Sequence, residues 1–150
     1  MTRRHVLCFG NELHGDDGFG CHVYRELQQI SWPPEVVLFN AGIAGLDALR
    51  FIEPCTQLLL VDALALDGEA GQVYVLHPEH FPTAATDLSS HSVGIAYLLQ
   101  AMRAMSIMPP EVKIVGVKAT TLRGFTQRLS PSVAKAVPKT VQIIRQLLHS

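Results

Sequence analysis

The sequence predicts a three-layer α/β/α fold built on a mainly parallel, twisted sheet of about five strands. Three observations predict it. Strand-length apolar runs alternate with segments whose apolar residues recur every three or four positions, as in a chain of strand–helix–strand units. The run "QLLLVD" at Gln57–Asp62 is almost wholly apolar, as expected of a strand covered on both faces of a parallel sheet. Gly- and Pro-rich stretches fall between the periodic segments, where turns are needed. No repeat, low-complexity tract or linker interrupts the 150 residues, so the chain reads as one domain spanning 1–150.

Arg4–Phe9 is a short apolar run entering a Gly turn, the first strand. Gly18–Ile30 carries Phe19, Val23, Leu27 and Ile30 at helical spacing, with Asp16 and Asp17 at its start, where carboxylates cap free amides. "SWPPE" at Ser31–Glu35 ends that helix. Val36–Asn40 is a second strand, and "AGIAG" turns into a helix near Leu46–Ile52. Gln57–Asp62 is the third strand. Leu66–Gln72 reads as a turn, and Val73–His77 as a strand that pairs hairpin-fashion with the one before it. Pro78–Ser90 is polar and aperiodic; Val93–Met105 returns to helix and "MPP" closes it. Val112–Val117 is the last strand. Ser130 then caps a helix with Pro131 at its first position, and Pro138 kinks or divides it.

Hydrophobic residues make up 48% and charged residues 17% of the chain, a balance that builds a core rather than a disordered tail. The net charge of −1 offers no basic surplus for nucleic acid or an anionic membrane. The longest apolar runs are strand-sized and too short to span a bilayer, and the basic "MTRR" is followed by a run that breaks at Gly10, unlike a signal peptide. Cys8, Cys21 and Cys55 are odd in number and lack CxxC spacing. They read as reduced and mostly buried, which places the protein in the cytoplasm.

Chemistry concentrates in the loops at the carboxyl ends of the strands, where open α/β sheets form their sites. "GNELHGDDGFG" at Gly10–Gly20 is a glycine-rich strand-to-helix turn without a Lys or Arg. A dinucleotide fingerprint needs a middle glycine that "GNELHG" lacks, and a P-loop needs Lys and Ser/Thr where Asp16 and Asp17 stand. Two carboxylates repel phosphate. The glycines therefore serve a tight turn and close backbone approach, and the acids serve a cation or proton transfer. Asp62 closes an apolar strand and needs a partner or solvent. His91, in "SSHSVG" at a helix start, is favoured as neutral imidazole, the metal-binding form. One His and two carboxylates from three separate loops make a nitrogen–oxygen set suited to nickel or zinc. Each also has a plain reading. Either aspartate can cap the helix, Asp62 can anchor a loop, and His91 can belong to a capping element. Glu12 and His14 read as solvent-facing, His77 and His80 as surface, and Asn40 as a loop brace through backbone hydrogen bonds.

These motifs together resemble the hydrogenase maturation endopeptidases, which remove a C-terminal extension from the precursor of the nickel-containing large subunit of [NiFe] hydrogenase. The resemblance runs through "GNELHGDDGFG", "AGLDALRFIEPCTQLLLVDAL", "SSHSVGIAYLL", "PPEVKIVGVK" and "LSPSVAKAVP", nearly the whole chain. It implies a metal-dependent, aspartic-type hydrolase in which Asp17, Asp62 and His91 are at once metal ligands and catalytic residues. The family ligand is the second acid of the paired motif, which selects Asp17 and leaves Asp16 to support the loop or cap the helix. The implied nickel arrives with the [NiFe] hydrogenase large-subunit precursor, the implied partner, and reports that the precursor is loaded. It either polarises the scissile carbonyl or activates a water, with Asp16 or Asp62 as general base. The protein itself is expected to be a monomer when free. Two departures from the family pattern stand out: Asn40 replaces an Asp often found at the end of the second strand, and "KATTL" follows the last strand in place of an acidic or Pro-containing stretch. A non-catalytic nickel carrier and a small-molecule-binding α/β domain are the competing readings.

Overall fold

A computed structural model describes residues 3–52, 54–65, 67–81, 92–120, 126 and 128–149. The elements run β1 (Arg4–Phe9), α1 (Phe19–Gln28), β2 (Val36–Gly42), β3 (Gln57–Leu64), β4 (Val73–Leu76), α2 (Ser92–Ala104), β5 (Glu111–Lys118) and α3 (Pro131–His149). Short 3-10 turns occupy Gly15–Gly18, Gly45–Phe51 and Pro78–His80. The five strands form one sheet in the order β2-β1-β3-β5-β4. The first four of these strands pair in parallel, and β4 joins β5 antiparallel.

Two apolar layers sandwich the sheet. On one face α1 and α3 bring Phe19, Val23, Leu27, Val133, Val137 and Ile144 onto Val6, Leu59, Val61 and Val115. On the other, α2 and the Gly45–Phe51 turn bring Ile95, Leu98, Leu99, Met102 and Ile52 onto Leu7, Leu58, Leu60 and Ile114. All eight residues of β3 are buried, which is why its sequence reads as an unbroken apolar run. Alternation along β3 puts Leu58, Leu60 and Leu64 toward α2 and Leu59 and Val61 toward α1 and α3. Asp62 shares the parity of the α2 side. A one-residue slip of β3 would drive its carboxylate into the α1–α3 core, so the acid helps fix the register.

The helices end where their sequences require. Trp32 Nε1 donates to the Leu27 carbonyl at 2.9 Å, closing α1 just before the Pro pair. Within α3, Val133, Ala136, Val137, Thr140, Ile144 and Leu148 are buried at spacings of three and four. Pro138 sits inside this one continuous helix, so it does not divide it.

Other boundaries move. The helix expected near Leu46–Ile52 is a 3-10 turn over Gly45–Phe51, because seven residues opening on glycine cannot sustain a longer helical ladder. β2 runs on to Gly42 and β3 to Leu64, so Asp62 lies inside its strand. β4 is not the hairpin partner of β3. β5 lies between them, and β4 forms the sheet edge. The N-cap of α1 is Gly18, which has no side chain to cap with, so the helix opens from the 3-10 turn Gly15–Gly18.

Candidate functional site

The connections from β1 and β3 leave the sheet in opposite directions, since β2 lies to one side of β1 and β5 to the other side of β3. A crevice opens at such a switch point, beyond the carboxyl ends of the strands. β1 pairs with β3 only as far as Cys8↔Val61, and Phe9 pairs instead with Gly42 of β2. Asp62 is the next residue of β3, opposite Gly116 of β5. It therefore stands where β1 peels away and the glycine-rich loop begins.

That loop is folded back on itself. At Gly10 φ is +140°, and a Cβ there would lie 2.1 Å from the Asp17 carbonyl oxygen. Only glycine allows this approach. Asn11 N–H donates to Asp17 Oδ2 at 3.0 Å, and Leu13 N–H donates to Asn11 Oδ1 at 3.0 Å. Gly20 brings the first turn of α1 against β1, with its absent Cβ 1.9 Å from the Phe9 carbonyl. The loop is pinned from outside as well: Gly15 N–H donates to Thr126 O at 2.8 Å, and Thr126 N–H to Leu13 O at 3.0 Å.

The adjacent aspartates have different surroundings, although both are fully buried. Asp16 Oδ1 accepts from Ser130 N–H at 2.7 Å; Oδ2 accepts from Ser130 Oγ at 2.8 Å and Thr120 N–H at 2.9 Å. Its carboxylate thus ties the loop after β1 to the end of β5 and the start of α3. Asp17 has the loop amide of Asn11 as a donor and lies close enough to Asp62 to influence its proton.

Asp62 is 2% exposed. Burial, and then the neighbouring Asp17 charge, push its carboxyl well above the ordinary carboxylate range, while the Ala63 N–H donated to its Oδ1 at 2.8 Å pulls the other way. Two carboxylates at one buried point repel each other, and a cation between them removes both penalties. The donor set and its charge therefore fit a divalent ion. Among the described residues no three His, Cys, Asp or Glu side chains form a metal group. His91, the third ligand expected from the sequence, lies outside the described residues, one position before α2. α2 in turn places Gly94 and Ile95 on the wall of the crevice holding Asp62.

That crevice has a volume of about 150 Å³ and is lined by Phe9, Gly10, Gly42, Ile43, Asp62, Gly94 and Ile95. Ile43 stands on its rim, 78% exposed. The sequence reading did not single out Gly42, Ile43 or Gly94, although a glycine in the first turn of a helix is a readable departure from helix propensity. The remaining candidates fall away from the crevice. Glu12 forms a partly exposed ion pair with Arg25. His14 bridges through its backbone to Thr126. His77 and His80 are exposed and meet edge to face at 6.2 Å. Asn40 accepts from the Cys21 thiol at 4.0 Å, so the hydrogen bond seen there is to a side chain rather than to backbone. Cys8, Cys21 and Cys55 are thiols. Burial raises the proton affinity of Cys8 and Cys21, which makes them poor nucleophiles.

Residues 21–147 match the family model described as hydrogenase maturation protease. A Methanocaldococcus jannaschii relative, named for hydrogenase maturation, is 33% identical over 96% of this chain and 96% of its own. The hydrogenase 2 maturation protease of Escherichia coli K12 is 27% identical over 94% of this chain and 90% of its own. The solved structure of the hydrogenase maturating endopeptidase HybD from E. coli superposes with a TM-score of 0.88 at 26% identity, covering 99% of this chain and 93% of that one.

Proposed function

The chain belongs to the hydrogenase maturation protease family, and from that membership we propose that it removes the C-terminal extension of a nickel-loaded [NiFe] hydrogenase large-subunit precursor. The observation that carries the proposal is the buried pair Asp17 and Asp62. Two carboxylates meet at the sheet's switch point, and burial and then the Asp17 charge push the Asp62 carboxyl above the ordinary carboxylate range. Such a pair is costly to fold unless it meets a cation in use.

In this reading Asp17, Asp62 and His91 meet nickel that the precursor brings as part of the substrate. Oxygen and imidazole donors without a thiolate hold such an ion modestly, which suits reading a bound ion rather than keeping one. The ion polarises the scissile carbonyl. Water then adds to that carbon and gives up a proton; the carbon–nitrogen bond breaks, and the leaving amine takes a proton. Asp16 spends its carboxylate on Ser130 and Thr120, so the role of general base falls to Asp62, at the floor of the crevice. The three thiols suit a reducing compartment, and the proposal places the protein in the cytoplasm, a monomer until it meets the precursor. Among the described residues no helix is long and apolar enough to cross a membrane.

Alanine substitution of Asp17, Asp62 and His91, one at a time, tests the assignment by following precursor cleavage in a gel or by mass. Each variant is expected to lose cleavage while remaining folded. Normal cleavage by all three removes the proposed site. Tight nickel binding by the isolated chain with no cleavage of any precursor makes the chain a carrier instead.

A further inference from the structure

Gly94 is the third residue of α2, and its backbone is helical, a setting in which glycine is weaker than alanine. Elsewhere in the site, packing explains the glycines: Gly10 and Gly20 each have a backbone oxygen where a Cβ would stand. Gly94 is different. Apart from its chain neighbours and its own helix backbone, no atom of the described residues lies within 4 Å of the place its Cβ would occupy. The same holds for Gly42, whose φ of +54° already favours glycine. Both open positions face the crevice that holds Asp62, and Ile43 projects beside them into solvent.

We infer that Gly94 on one wall, and Gly42 with Ile43 on the other, form a substrate channel that takes an extended peptide strand of the precursor past Asp62. The inference rests on the function proposed above. The crevice measures about 150 Å³, so any bulk added to its walls takes a large share of it. Any side chain on its walls competes with the peptide backbone for space. Two missing Cβ atoms widen the passage, and the open end of Ile43 gives an apolar side chain of the peptide a surface to lie on. The helix gives up some local stability at Gly94 and gains a wall that no described side chain covers. Gly94 is thus a specificity-determining position, not a catalytic one.

The test uses the full chain and the nickel-loaded precursor, with cleavage kinetics and thermal unfolding measured on the same samples. Gly94→Ala and Gly94→Val are expected to hold or raise Tm, by roughly 1–3 °C for alanine. They should also lower kcat/KM, by about tenfold or more for valine, mainly through KM. Ile43→Ser, at an exposed position that the fold does not need, is expected to raise KM several-fold at unchanged Tm. Wild-type kinetics in a folded Gly94→Val protein, or wild-type KM in Ile43→Ser, overturns the channel while leaving the protease reading in place. A wild-type protein that leaves the loaded precursor intact overturns the protease reading, and the channel with it.

Discussion

Replacing Asp16 with alanine removes an acceptor that three donors share. Ser130 N–H, Ser130 Oγ and Thr120 N–H all reach its carboxylate, at 2.7, 2.8 and 2.9 Å. The serine hydroxyl has a second partner in Thr120 Oγ1 at 3.3 Å and can turn to it. The half-buried Ser130 amide is left without its acceptor at a cost of about 1–3 kcal/mol, while the exposed Thr120 amide turns to water at little cost. The expected destabilisation is therefore about 2 kcal/mol, which for a chain of 150 residues lowers Tm by roughly 4–8 °C. Asp16→Asn keeps the shape and one acceptor oxygen and should lose about half as much. Asp17→Asn keeps an oxygen for the Asn11 amide and should change stability by less than about 1 kcal/mol. The activities are expected to run the other way: Asp16→Ala still cleaves precursor well below its Tm, whereas Asp17→Asn does not. Calorimetry or urea unfolding of the three variants checks the stability order, and precursor cleavage at 20 °C checks the activities. A Tm for Asp16→Ala within 2 °C of wild type refutes the clamp, and cleavage by Asp17→Asn refutes the division of labour between the neighbours.

Further outcomes follow from the same geometry. Asp62→Asn keeps the acceptor for Ala63 N–H and removes a buried charge, so it should raise stability at neutral pH while abolishing cleavage. Because the folded protein holds the Asp62 carboxyl above its ordinary range, its contribution is complete below the unfolded-state value and is lost as pH rises through the folded one. Tm of the wild type should then fall between acid and neutral pH relative to Asp62→Asn, and two parallel Tm–pH curves would contradict this. Gly20→Ala sets a Cβ 1.9 Å from the Phe9 carbonyl, and should destabilise by about 2–3 kcal/mol, read from urea midpoints. Thiol alkylation of the native protein should modify half-buried Cys55 first and spare Cys8 and Cys21, whose burial raises their proton affinity; peptide mapping that finds Cys8 labelled first would contradict this.

Much of the architecture is legible in local pattern, because burial writes itself into sequence. β3 reads as a doubly covered strand from Leu58–Val61, and α1 from Phe19, Val23 and Leu27. Pairing order does not read so directly. Nothing within Val73–Leu76 says that β5 separates it from β3, since either neighbour would satisfy the same apolar residues. The 3-10 turn at Gly45–Phe51 shares its spacing of three with a true helix over so short a span. At the site, the acidic character of the glycine-rich loop was plain, and so was Asp62, a charge inside an apolar run. The difference between Asp16 and Asp17 is not local. The partners of Asp16 lie 104 and 114 residues away, and only the folded chain brings Thr120 and Ser130 to it. Gly94 is legible in the sequence only as an odd residue for a helix; that it lines the crevice beside Asp62 is a property of the folded chain.

In the proposed function the buried carboxylates read a metal ion carried by the precursor. That role is tested most directly by incubating the wild-type protein with the same large-subunit precursor prepared with and without nickel, and following loss of the C-terminal extension by mass. Removal of the extension is expected from the nickel-loaded precursor alone, with the nickel-free form intact at equal concentration. Equal cleavage of both forms would contradict it.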